Sequence, residues 1–241
     1  NIGYDHTQFL GESLSEIAAE KAAIIKAGIP AIIGETQDEV QDVFIEQARK
    51  EKTSLSFADQ MKLAEYETAL MGDWQIKNAN TAVAAIYTLH DNGYSFKDDN
   101  IRKGLMNVIK NTGLLGRWQM LHNKPLSICD IGHNKDGICE VLKMIKKTPH
   151  DQLHFVLGLV SDKNVEPVLS LLPSSASYYF CKADIPRGMD ANHLRQLAHS
   201  MGLKGESYKS VQQAYRSALR KAGDKDLVFV GGSTFVVSEV L

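Results

Sequence analysis

The sequence predicts an α/β protein in two parts, residues 1–110 and residues 111–241, the second a mostly parallel, doubly wound sheet. Three observations carry this reading. The chain has 241 residues, long for one compact domain and comfortable for two. Its texture changes at Asn111-Thr112-Gly113-Leu114-Leu115-Gly116, a stretch of turn chemistry that reads as a linker. Beyond that point, apolar strands alternate with helical patterns of ~10–15 residues, the rhythm of a parallel sheet with crossover helices.

In the first part, Ser13-Leu14-Ser15-Glu16 is a capping box, so a helix should open there. Gly28 and Pro30 should stop it. Ala31-Ile32-Ile33 reads as a short strand. Val40, Val43, Phe44 and Ala48 recur at helical spacing between Asp38 and Lys50. Residues 54–59 alternate like a strand, and another strand is expected before Gly72. An Ala-rich helix should run from Gln75 to Leu89, and a further one from Asp98 or Asp99 to Lys110. In the second part the expected strands are 127–131, 154–160, 178–181 and 227–230. The expected helices are 137–147, 165–172, 191–201 and 211–222. Ligands of such sheets bind beyond the carboxyl ends of the strands.

Composition narrows the function. Hydrophobic residues make up 44% and charged residues 23%, with a formal net charge of -2. A soluble, well-cored protein is expected, with no electrostatic footprint for nucleic acid. No apolar run approaches the ~18 residues of a membrane span. The three cysteines, Cys129, Cys139 and Cys181, are too scattered for a disulfide framework or a metal site. A reducing cytoplasm is the expected location. The first residues read like a strand end running into a loop, and the chain is expected to be an amino-terminally truncated fragment.

Several residues are candidates for chemistry. In the helix opening at Ser13, Leu14, Ile17, Ala18, Ile24 and Ile25 form the apolar face, and Lys21 falls within that stripe. A lysine there snorkels to water, finds a charged partner, or is functional. Burial would lower its pKa, and a neutral amine can take up carbon dioxide as a carbamate, an oxygen anion suited to Mg²⁺. His6, beside Asp5, is either a capping residue or a metal ligand. Asp130-Ile131-Gly132-His133-Asn134 closes a strand and opens a helix, an arrangement that either caps the helix or receives an anion. Arg117 either stays solvated or clamps phosphates.

Taken in order, the motifs resemble one family. NIGYDHTQFLGESLSEIAAEKAAIIKAG looks like the metal-binding segment of folylpolyglutamate synthases, members of the Mur ligase superfamily. GDWQIKNANTAVAA resembles their Gly-x-His-Gln-x-x-Asn-Ala helix start. LLGRWQ followed by ICDIGHNKDG resembles their Gly-Arg and Asp-x-x-His-Asn pair, and FVLGLVSDKN and VFVGGSTFVVSEVL resemble later motifs. The resemblance spans essentially the whole chain. Trp74 departs from the family's usual His, and Lys135 from its usual Pro.

The resemblance implies the rest of a central ATP-binding domain followed by a Rossmann-like carboxyl-terminal domain. It implies a ligase that uses ATP, L-glutamate and Mg²⁺ on dihydropteroate, folates or both; a monomer is expected. His6 and a carbamylated Lys21 would hold the metal. Asn78, Arg117 and Asp130 would meet ATP; Asp130, His133 and Ser233 would border glutamate, with His133 also catalytic. The family's glycine-rich phosphate loop is not in this sequence, so the fragment is expected to be inactive by itself. A cell-wall Mur ligase and a non-catalytic binding module are the alternatives.

Overall fold

The computed structural model describes residues 2–4, 7–161 and 165–241. The chain divides into two compact units, Asn1–Gly113 and Leu114–Leu241.

In the first unit, α1 (Thr7–Leu10) is followed by α2 (Leu14–Ala22). The capping box forms as expected: Ser13 Oγ accepts from the Glu16 amide at 3.2 Å, and Glu16 Oε2 accepts from the Ser13 amide at 2.9 Å. The helix stops at Ala22, well before Gly28, and the chain then turns so that Ile25 enters the core while Ile24 stays exposed. Strand β1 (Ala31–Ile33), helix α3 (Gln41–Lys50) and strand β2 (Leu55–Phe57) form a βαβ unit, with Ala31 opposite Leu55 in parallel register. Ile17, Ala18, Val40 and Phe44 pack together beneath it.

The strand expected before Gly72 does not form. Tyr66 from this stretch instead packs against Val83 and Ile101, and its hydroxyl donates to Asp98 at 2.6 Å. Helix α4 (Asp73–Asp91) is longer than expected. The next expected helix breaks at Asn107 into α5 (Asp98–Met106) and α6 (Val108–Thr112). Asn107 side-chain Nδ2 donates back to the Lys103 carbonyl at 2.8 Å, a local bond that competes with helix continuation.

The second unit holds β3 (Gln119–Asn123), β4 (Leu126–Cys129), α7 (Lys135–Lys147), β5 (Leu153–Leu157), α8 (Glu166–Leu169) and β6 (Ser177–Phe180). It continues with α9 (Ala191–Ser200), β7 (Gly205–Ser207), α10 (Val211–Lys221), β8 (Leu227–Gly231) and α11 (Thr234–Ser238). The six strands run in the order β3-β4-β8-β5-β6-β7. Only the β3–β4 pair is antiparallel; the others are parallel. The mostly parallel α/β sheet expected from the sequence is therefore present.

Strands β5 and β8 are buried along their whole length, as parallel strands covered on both faces must be. One face of the sheet packs Ile138 and Val141 of α7 and Leu194 of α9 against Phe155 and Phe229. The other packs Val211 and Ala214 of α10 and Val236 of α11 against Val156 and Val230. Cys129 and Cys181 lie inside this core, and burial pushes the Cys129 thiol up to about 12. Among the described residues, no helix is long and apolar enough to cross a membrane.

Candidate functional site at the carboxyl edge of the sheet

Strands β4 and β8 are neighbours in the sheet, yet their chains leave toward opposite faces, β4 into α7 and β8 into α11. Such a divergence marks a topological switch point at the carboxyl ends of the two strands, the usual ligand position in doubly wound sheets. The loops at that point carry Asp130, His133 and Ser233.

Asp130 follows β4 and its amide donates to the Val230 carbonyl at 3.2 Å. Its side chain is 2% exposed. Oδ2 accepts from the Trp118 amide and Oδ1 from the Gly132 amide, each at 2.8 Å. Burial raises its pKa, while these two amides and the Arg117 charge pull the other way. The carboxylate expected to face ATP or glutamate is thus turned inward and braces the backbone.

What it braces is Arg117. Trp118 has a φ of 43°, in the left-handed region that costs a bulky residue energy, and its amide is the one that Asp130 holds. On the other side of Arg117, the Gly116 carbonyl accepts from the Ile131 amide at 3.0 Å. The Trp118 ring is buried against Phe229, with centroids 5.9 Å apart. Arg117 itself is half-buried, fixed on both flanks and close enough to act on the Asp130 charge.

His133 Nδ1 lies 3.1 Å from the Ile131 carbonyl. Donation there makes Nε2 the acceptor nitrogen of the neutral ring. Asn134 caps α7, its Oδ1 accepting from the Gly137 amide at 2.8 Å. Ser233, 3% exposed, caps α11 by accepting from the Phe235 amide at 3.2 Å. The preceding Gly232 has a φ of +94°, and a Cβ there would lie 2.8 Å from the Gly158 carbonyl oxygen. Only glycine permits that approach between the loops after β8 and β5. Arg187, not foreseen from the sequence, places its guanidinium 4.8 Å from the Phe235 ring centroid; only its loop position after β6 could have marked it.

The first unit presents the other predicted residues. Asn78 is exposed on α4, and its Nδ2 donates to Gln75 Oε1 at 3.0 Å. Trp74 lies over Gly72. Lys21 is exposed, which corrects the expectation that its amine points into the core. Within α2 (Leu14–Ala22) Lys21 still follows buried Ile17 by four residues and Ala18 by three, so the stripe is real, but the helix ends one residue later. Lys21 therefore occupies a last turn, from which its long stem carries the amine to water. His6 lies outside the described residues, as do residues 162–164 of the FVLGLVSDKN stretch. Among the described residues no group of three or more His, Cys, Asp or Glu side chains is placed to hold a metal. The described residues do not assemble a metal centre.

Residues 116–234 match the family described as Mur ligase, glutamate ligase domain. The chain is 29% identical to the dihydrofolate synthase/folylpolyglutamate synthase of Escherichia coli, over 100% of this chain and 58% of that protein. The structure of E. coli FolC in complex with DHPP and ADP superposes with a TM-score of 0.83 at 28% identity, covering 99% of this chain and 58% of that one. A bifunctional folylpolyglutamate synthase/dihydrofolate synthase with Mn, AMPPNP and L-glutamate bound gives 0.81 at 25% identity, covering 99% and 59%. The chain therefore spans less than two thirds of the length of these relatives. With the sheet order and these similarities in agreement, residues 116–234 belong to the Mur ligase glutamate ligase domain family, and the chain as a whole is similar in sequence and fold to folylpolyglutamate/dihydrofolate synthases.

Proposed function

We propose that this chain provides nucleotide-binding and glutamate-ligating parts of an ATP-dependent ligase that joins L-glutamate to dihydropteroate, to folates, or to both. The observation that carries the reading is the divergence of the chain after β4 and β8, whose loops carry His133 and Ser233, with the backbone on both sides of Arg117 held against the loop after β4. The acceptor's carboxylate oxygen attacks the γ-phosphorus of ATP, and the bond to ADP breaks, leaving an acyl phosphate. The glutamate amine then attacks the acyl carbon and phosphate leaves with the bonding electron pair. Such a reaction asks the protein chiefly for positioning and charge neutralisation.

Arg117 meets the phosphates, its guanidinium pre-set by the bonds on either side of it. His133, its Nδ1 held by the Ile131 carbonyl, borders the glutamate and is assigned a catalytic role there. Ser233 lies on the glutamate side, and Asn78 meets the base of ATP. The relative solved with Mn and AMPPNP supports a divalent cation beside the nucleotide; we assign Mg²⁺, with His6 and Lys21 as the residues the resemblance names. When bound, the ion would offset phosphate charge. The protein is assigned to the cytoplasm on its cysteine usage, and as a monomer.

The test is ADP release by the full-length protein with glutamate and, in turn, dihydropteroate, a reduced folate and a nucleotide-sugar peptide. Glutamate-dependent release with a folate-type acceptor is expected. Release with the nucleotide-sugar peptide alone would refute the folate assignment, and no release with any acceptor would leave a binding module. Lys21→Ala is expected to lower turnover by at least about a hundredfold, the size of losing a group that stabilises transition-state charge. Its thermal midpoint should not move, because an exposed lysine contributes within about 0.5 kcal/mol.

A further inference from the structure

Gln75 is buried, at 3% exposure, in the first turn of α4. Its Oε1 accepts from Asn78 Nδ2 at 3.0 Å, but its Nε2 has no hydrogen-bond partner among the described residues. A buried donor without an acceptor costs stability, and an apolar side chain of similar shape would avoid that cost. Sites that break a local rule without structural return are where function is expected.

The return lies one turn along the helix. Because Asn78 Nδ2 is turned toward Gln75, Asn78 Oδ1 lies on the far side of its amide group, and Asn78 is exposed. The amide therefore offers the solvent side an acceptor next to one remaining N–H. That edge matches adenine, whose N6 donates and N7 accepts, and mismatches guanine, whose O6 and N7 both accept. The turn is also fixed in place. Lys77 pairs with Glu35 at 2.6 Å, and a Cβ on Gly34 would lie 2.8 Å from Thr81 Oγ1. The start of α4 thus rests on the loop beyond β1, the edge of a parallel sheet where ligands bind.

We propose that Gln75 is a positioning residue for nucleotide choice: by accepting from Nδ2, it holds the Asn78 amide in the orientation that suits adenine and disfavours guanine. This rests on the reading that Asn78 meets the base of ATP. The full-length protein is assayed with ATP and with GTP, alongside thermal melting. Gln75→Met deletes an unpaired donor, so it should melt no lower than wild type. It should nonetheless raise KM for ATP more than it lowers kcat and reduce the ATP-over-GTP preference about tenfold, the scale of one discriminating amide contact. Gln75→Glu retains oxygens that accept from Nδ2 and should keep the preference, whatever burial of its carboxyl does to the melt. In an Asn78→Ala background, Gln75→Met should change the preference no further.

An unaltered preference in Gln75→Met overturns the proposal, as does a loss that persists in full without the Asn78 amide. If Asn78→Ala by itself leaves both KM for ATP and the preference at wild-type values, the placement of Asn78 fails first. The two failures are therefore distinguishable.

Discussion

Asp130 and Asp226 sit at opposite ends of the same sheet, one just after β4 and the other just before β8, and each carboxylate accepts hydrogen bonds from the main chain. Asp226 takes the Gly223 amide at 2.7 Å, the Gln152 amide at 3.2 Å and His154 Nε2 at 3.2 Å. His154 in turn reaches the Tyr179 hydroxyl through Nδ1 at 2.9 Å. Burial tends to raise the Asp226 pKa, but these donors outweigh it and the pKa is lowered. At Asp130 burial wins, and the pKa is raised despite two amides and the Arg117 charge. The amino-terminal edge of the sheet is a satisfied network that serves stability. The carboxyl-terminal edge keeps a costly carboxylate, a strained Trp118 and a close glycine contact, which is how a fold looks where geometry is held for chemistry.

Activity should separate the two ends most strongly. In the full-length protein, Asp130→Ala should raise KM for ATP by at least about tenfold, because Arg117 loses the brace on one side. Asp226→Ala should leave turnover per folded molecule within about twofold, as for a change remote from the chemistry. Equal kinetic losses at both positions would erase the distinction. Stability comes next. Asp130→Ala strands the Trp118 and Gly132 amides and should cost roughly 2–4 kcal/mol, against about 1–2 kcal/mol for the less enclosed Asp226→Ala, by urea unfolding.

The smallest effect, and the sharpest in sign, is on pH dependence. A raised folded-state pKa means that the Asp130 contribution is fully present below the ordinary carboxylate value of about 4 and is lost as pH rises through the folded value. The lowered pKa of Asp226 means the reverse: its contribution is present above about 4 and is lost as pH falls through the folded value. Each slope is bounded by about 1.4 kcal/mol per pH unit. Asp130→Asn should flatten the upper limb of the stability profile and Asp226→Asn the lower one. The same limb vanishing in both variants would contradict the assignment.

The sheet of the second unit was readable because its strands are continuous apolar runs and its helices keep strict periodicity. The elements missed there are those without such signals. Strand β3 is an edge strand with exposed Met120, β7 is only three residues long, and α11 hides within the apolar stretch after Gly232. The site loop was legible as Asp130 to Asn134, because a strand running into a capped helix is a local pattern. The direction of the Asp130 carboxylate was not, since it depends on Trp118, twelve residues earlier. Lys21 was misread because periodicity places its backbone on the apolar face but does not show that, in the last turn of α2, its long stem can reach water. Gln75 was visible only as one position of the motif around Asn78, since its missing partner exists only in three dimensions.

The two tryptophans of the chain fall one to each unit. Trp118 is 5% exposed against Phe229 and should emit at short wavelength, while the half-exposed Trp74 at the start of α4 should emit to the red. Each unit therefore carries its own intrinsic fluorophore. Replacing either indole with phenylalanine would leave a single-colour reporter, so that melting of the two halves can be followed independently without any added label.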